Sequence, residues 1–311
     1  MRRLVLFVGA TLVACSKQEA PKTDSVAPAG VAAAATASKV GEAANMKTPE
    51  SVRYDPELDV FYVSNINGNP SQHDGNGFIA VIRADSVALP AKMLVEGGKN
   101  GAKLDAPKGM ALVGDTLWVA DINHVRGFNR RTGAPVADID LSSQKAEFLN
   151  DVAAGPGGSV LITDTGIRFD ANGGMSHPGV DQIFKIVGRK ATALKADSLN
   201  APNGIAWDSA NSRWILGPFN GTAVQAWKEG DKAPTTVATG PGQYDGVEVL
   251  SDGRILVTSW ADSAVHVVQG GNVTKLVSNV NAPADIGVDT KRNIVAIPRF
   301  NDGKVEFYKI P

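Results

Sequence analysis

The chain has 311 residues, with 31 basic and 32 acidic side chains for a formal charge of −1, and 43% of its residues are hydrophobic. A near-neutral balance without a basic stripe leaves no electrostatic case for a nucleic-acid partner. Cys15 is the only cysteine, which excludes any intrachain disulfide.

The first element in chain order is a targeting segment. Arg2 and Arg3 precede an apolar stretch, Leu4 to Ala14, that is too short to span a bilayer. Residues 1–14 therefore read as an export signal. The run Leu12-Val13-Ala14-Cys15 resembles the lipobox of bacterial lipoproteins, which makes Cys15 the expected lipidation site. An ordinary secretory signal, cleaved nearby with Cys15 discarded, is the alternative. Residues 15–38, rich in Ala, Ser, Thr, Pro and Lys, have the composition of a flexible tether. The expected location is the bacterial cell envelope on the periplasmic side, with the membrane touched only through the lipid. Ser16 after the cysteine is compatible with the outer membrane rather than the inner one.

Residues 39–311 form one repetitive domain. Six copies of a unit are visible, starting at Pro49-Glu50-Ser51-Val52, Pro107-Lys108-Gly109-Met110, Leu149-Asn150-Asp151-Val152, Pro202-Asn203-Gly204-Ile205, Tyr244-Asp245-Gly246-Val247 and Pro283-Ala284-Asp285-Ile286. In each, apolar side chains recur with a period of two, as in a strand. Turn residues and a second apolar run follow, such as Leu117-Trp118-Val119 or Trp214-Ile215-Leu216. Short strands repeating at this spacing predict an all-β fold, a six-bladed β-propeller of four-stranded blades. A β-solenoid would have shorter, more uniform repeats. The last copy ends at Pro311 after three strands, so a segment near Lys39 to Ala44 is expected to supply the fourth and close the ring by joining the chain ends.

The leading residues of the six copies are Glu50, Lys108, Asn150, Asn203, Asp245 and Ala284. In a propeller they would ring one mouth of the central channel. The two carboxylates and two amide oxygens, from Glu50, Asn150, Asn203 and Asp245, suit a hard divalent cation. Ca²⁺ is expected first, with Mg²⁺ or Mn²⁺ as alternatives, and zinc is disfavoured because the ring has neither His nor Cys. Taken singly, Asn203-Gly204 and Asp245-Gly246 read as ordinary turn dipeptides. A turn does not explain why Glu50 and Asn150 share their register. Lys108 would either orient a substrate carboxylate or oxyanion, or simply neutralise an acidic mouth, and its charge opposes cation binding. Asp121 and Asp164, at the ends of second strands, are expected either to support the channel mouth by hydrogen bonds or to serve a turn. Two insertions, Asn65 to Gly77 with His73 and Gly166 to Val180 with His177, are expected as lids over the same face. His73, His177 and Arg299 are candidate substrate contacts, and idle exposed loop histidines are the plain alternative for the first two.

The segments Leu149 to Gly158, Pro202 to Asp208 and Asp245 to Val257 resemble the regucalcin/gluconolactonase/LRE-like (senescence marker protein) family of six-bladed propellers, and the likeness extends over about residues 45 to 311. The resemblance implies a metal held by Glu50, Asn150, Asn203 and Asp245, with Asp245 also the catalytic base or nucleophile; Lys108, a second catalytic candidate, departs from the family pattern. It further implies metal-assisted hydrolysis of a small lactone or ester, a sugar lactone among the expected substrates; the charge balance of the ring with a divalent ion favours an anionic one, and a monomer is expected. Neither a G-x-S-x-G elbow nor an H-E-x-x-H motif occurs. A non-catalytic propeller that binds a ligand or partner through the same face is the alternative reading.

Overall fold

The computed structural model describes residues 37–311; the export signal, Cys15 and the tether up to residue 36 lie outside the described residues. Six four-stranded antiparallel sheets are arranged as blades, and each runs outward in simple up-and-down order. Their innermost strands are Pro49–Asp55, Pro107–Val113, Leu149–Ala154, Pro202–Asp208, Tyr244–Val249 and Gly287–Asp289. Consecutive inner strands pack on one another round the ring, and backbone bonds Asp285 N to Glu50 O (2.8 Å) and Val52 N to Asp285 O (3.1 Å) join the last blade to the first. Among the described residues two short helical turns, Ser142–Gln144 and Pro156–Gly158, interrupt the strands. The expected six-bladed propeller is therefore the fold.

The core lies between blades rather than in one centre. Apolar residues spaced two apart point from each sheet onto its neighbour. Trp214 and Trp227 are buried with Leu161 and Ile183 between the third and fourth blades. Phe61 and Phe307, with ring centroids 5.2 Å apart, fill the seam between the first and sixth. Truncating one such aromatic to alanine costs about 3–5 kcal/mol.

Ring closure follows the expectation. Ser38–Ala43 pairs antiparallel with Lys304–Lys309 and completes the sixth blade as its outer strand. Without it, Lys304–Lys309 would be an open sheet edge. The clasp is also ionic: the Glu306 carboxylate meets Lys39 at 2.8 Å, Lys304 at 2.9 Å and Arg299 at 3.1 Å, and Tyr308 Oη donates to it at 2.9 Å. Burial disfavours the charged form of Glu306, but the bonds from Lys39, Lys304 and Tyr308 outweigh it and hold the carboxyl down at about 2. A group depressed in the folded state lends stability above its ordinary pKa of 4.5 and loses it as the pH falls towards 2. Melting temperatures measured from pH 5 to 2 should therefore fall less steeply for Glu306→Gln than for the wild type; parallel curves would contradict this role.

Candidate functional site

One irregularity repeats at the axis. Between the first and second strands of the first five blades the register slips by one residue, at Pro49/Val52, Pro107/Met110, Leu149/Val152, Pro202/Gly204 and Tyr244/Val247. Each slip is a β-bulge at the leading residue or the one after it, and a bulge re-aims the side chains it carries. The freed amides are capped by hydroxyls of the second strand: Ser51 N donates to Ser64 Oγ (2.9 Å), Asp151 N to Thr163 Oγ1 (2.9 Å) and Gly246 N to Thr258 Oγ1 (2.7 Å). Thr163 and Thr258 in turn donate to the carbonyls of Asn203 and Ala284 in the next blade, at 2.6 and 3.2 Å. Gly204 and Gly246 are accordingly strand residues at a close approach, not turn residues. A Cβ on Gly204 would lie 2.0 Å from Asp245 O, and one on Gly246 would lie 2.5 Å from Ile286 N.

The bulges bring Glu50, Lys108, Asn150, Asn203 and Asp245 to one cavity of about 300 Å³, with each of them only 1–5% exposed. Ala284, the sixth leading residue, is fully buried and supplies its carbonyl to Thr258. Asp245 Oδ2 accepts from Trp260 Nε1 at 2.9 Å. Asn150 Nδ2 donates to Thr165 Oγ1 (2.9 Å), which donates to Pro202 O (2.8 Å), and this fixes which end of the amide is the nitrogen. Three other oxygens, Glu50 Oε2, Asn203 Oδ1 and Asp245 Oδ1, are buried without any hydrogen-bond partner. Burial, then the charges of Asp245 and Asp285, raise Glu50 well above the usual carboxylate range, and burial and Asp285 do the same to Asp245. Burial pulls Lys108 down to about 8, opposed by the carboxylates of Glu50, Asp121, Asp164 and Asp105. Its Nζ donates to Ala106 O at 3.1 Å and lies 4.1 Å from the centre of the Phe148 ring.

The other sequence candidates sit elsewhere. Asp121 accepts from the amides of Asp105 and Ala106, at 3.0 and 2.8 Å, and from Arg126 Nε at 2.9 Å. Asp164 accepts from the amides of Glu147, Phe148 and Gly166. Both therefore tie down the segment just before a leading residue, Lys108 or Asn150. The two insertions do meet each other, through Asn69 Nδ2 to Asp170 O (2.7 Å) and Phe169 N to Ser71 Oγ (3.0 Å). They line the cavity with Ile66, Pro70, Ile167, Phe169 and Met175, whereas His73 and His177 are not among its lining residues. Those histidines bond Asp105 and Asp181 within their own surroundings. Arg299 is spent on Glu306 and Asp302, and its neighbour Phe300 lines the cavity instead.

A second column recurs at a fixed offset from the end of each second strand. The residue just after each second strand is Ile66, Ile122, Thr165, Phe219, Trp260 or Phe300. In five blades its amide bonds the carbonyl two residues before the leading residue: Ile66 to Thr48, Thr165 to Phe148, Phe219 to Ala201, Trp260 to Gln243 and Phe300 to Ala282. Ile66, Phe219, Trp260 and Phe300 wall the cavity above the leading residues. The signal was the shared offset from the strand end.

The SMP-30/gluconolactonase/LRE-like region matches residues 48–288, most of the chain. The chain belongs to the SMP-30/gluconolactonase/LRE-like family. Solved structures with this fold include a gluconolactonase of Xanthomonas campestris, 16% identical, with TM-score 0.65 over 86% of this chain and 88% of that one. Regucalcin of Agrobacterium tumefaciens, described as a calcium-binding protein, is 15% identical, with TM-score 0.65 over 88% and 95%. Virginiamycin B lyase of Staphylococcus aureus is more distant, at 12% identity and TM-score 0.57 over 87% and 99%. No curated protein sequence matches the chain.

The donor set of this SMP-30/gluconolactonase-type propeller fits a hard cation. Buried oxygens without partners, two of them on carboxylates, are what such an ion satisfies. Among the described residues no three His, Cys, Asp or Glu side chains gather as a metal cluster, so amides must complete the set. Burial disfavours the charged form of Asp245, so ionising it costs stability when nothing opposes it. In chelator, the melting temperature of the wild type should therefore fall relative to that of Asp245→Asn as the pH rises, by about 2–4 °C for each 1 kcal/mol; parallel curves would count against a strained carboxylate.

Proposed function

We propose that the protein is a divalent-cation-dependent hydrolase of small lactones or esters, anchored in the bacterial cell envelope through a lipid on Cys15. The observation that carries this reading is the set of partnerless oxygens on Glu50, Asn203 and Asp245 in one enclosed cavity. Membership of a lactonase-type propeller family and the fold shared with a gluconolactonase support it. Glu50, Asn150, Asn203 and Asp245 would hold the ion, calcium first by donor chemistry, with magnesium or manganese as alternatives. When bound, such an ion polarises a carbonyl oxygen and stabilises the charge that develops on it.

The protein's own residues divide the remaining work. Trp260 fixes Asp245 through Oδ2, so Asp245 is positioned to accept a proton from the water that adds to the carbonyl carbon. As the ring or ester C–O bond breaks, Asp245 returns that proton to the departing alkoxide. Lys108, resting on Phe148, presents a cation to a substrate carboxylate or to the forming oxyanion. The two insertions bound the cavity and limit water around the reacting carbonyl.

Asp245→Ala should lower kcat by about 10³ or more without loss of the fold, and excess chelator should abolish wild-type turnover. Undiminished lactone hydrolysis in either case would refute the assignment. Thr165→Val frees the Asn150 amide and should weaken calcium binding about 10-fold, measured by calorimetry, a loss typical of groups that orient ligands. Unchanged affinity would remove Asn150 from the set. Cys15→Ser should move the protein from the membrane to the soluble periplasmic fraction, and persistence in the membrane would contradict lipid anchoring.

Buried Lys108 favours a second reading, a propeller that binds an anionic ligand without turning it over. Stoichiometric calcium with chelator-sensitive hydrolysis supports the enzyme; absence of both supports the binder.

A further inference from the structure

The polar side chains of the cavity are concentrated among its leading residues. Above them, Phe219, Trp260 and Phe300 form a continuous aromatic run across three blades, with centroid separations of 5.8 and 5.4 Å. Phe148 and Phe169, 5.8 Å apart, extend the apolar lining from the third blade onto its insertion. Among the described residues, Gln243 is the one Asn, Gln, Ser, Thr or charged side chain lining the cavity that is not a leading residue. The aromatic run is built by the fold, since Phe219, Trp260 and Phe300 hold the same backbone position in successive blades. At about 300 Å³ the space is at the lower end of ligand cavities.

A polyhydroxylated ligand seated there meets the rings favourably only through its C–H faces, and every hydroxyl beyond reach of the leading residues and Gln243 gives up water for a wall that neither donates nor accepts a normal hydrogen bond. An alkyl chain or a single aromatic ring would lose nothing comparable and would cover the ring faces. We infer that the substrate is a small lactone or ester bearing an alkyl or aryl substituent, held against Phe219, Trp260 and Phe300 with its carbonyl towards Glu50 and Asp245, and not a sugar lactone. This inference rests on the hydrolase reading for its turnover, but the recognition it describes does not. It replaces the sugar-derived substrate expected from sequence with one matched to the walls.

The test compares two lactones of equal carbon count, γ-hexalactone and gluconolactone, on purified protein loaded with calcium. The kcat/KM for γ-hexalactone should exceed that for gluconolactone by about 100-fold or more, within the range an apolar pocket can discriminate. Phe300→Ser should cut that ratio at least about tenfold. Met175→Asn, at an exposed position of the insertion lining the same cavity, should also lower it and does not endanger the core. Equal or better use of gluconolactone would overturn the inference while leaving the hydrolase standing. Should neither lactone be turned over, the hydrolytic reading fails, and calorimetry with hexanoate and gluconate decides the inference separately. Tighter hexanoate binding supports an apolar chamber, whereas equal or tighter gluconate binding overturns it.

Discussion

Crowding at the propeller axis sets the terms for everything built around it. Six inner strands approach so closely that a Cβ after Asn203 or Asp245 would sit within 2.0 to 2.5 Å of the next blade's backbone. Glycine meets that constraint in some blades. In others the space takes a side chain bonded to its neighbour, as when Ser51 Oγ donates to Asp285 Oδ2 at 2.5 Å, or Asp151 Oδ2 accepts from Ile205 N at 2.7 Å. The bulge that accompanies this packing frees an amide, and a second-strand hydroxyl caps it. One local solution thus holds blades together and aims the leading side chains at a common space.

The electrostatics follow from that geometry. Deeper along the axis, Asp151 and Asp285 are buried and raised, Asp285 to about 7, mainly by burial and against the pull of Arg53 and Ser51. Arg53 bridges Glu248 and Asp285 and donates from Nε to Met110 O at 2.8 Å, so one guanidinium answers part of the charge of Asp151, Glu248 and Asp285, and Asp285 Oδ1 is itself without a partner. At the upper mouth the charge is also incompletely answered: Glu50 and Asp245 face one cavity with partnerless oxygens, and one N–H of Lys108 donates to Ala106 O. A site that costs stability in the free protein and regains it on binding is the usual physical mark of function.

The fold and the polar ring were legible because the same backbone solution recurs with recognisable chemistry. Apolar alternation marks the strands, and the shared register of Glu50, Asn150, Asn203 and Asp245 marks the column that converges on the cavity; the bulge that aims it has no sequence mark of its own. The aromatic wall was not legible, because Phe219, Trp260 and Phe300 look like core residues unless their offset from the strand end is compared between copies. His73, His177 and Arg299 are candidate contacts only by virtue of their loops and strand end. The positions of Asp105, Asp181 and Glu306, which engage them, depend on pairings remote from the local pattern. Asp121 and Asp164 combine both uses weighed for them: they hold a turn, and the turn places a leading residue.

The most direct test of a shared axial ion site is diffraction from crystals grown with manganese in place of calcium, recorded at a wavelength where manganese scatters anomalously. The account predicts one dominant anomalous peak bounded by oxygens of Glu50, Asn150, Asn203 and Asp245. A peak confined to another part of the molecule, or no peak in that ring at saturating manganese, would contradict it.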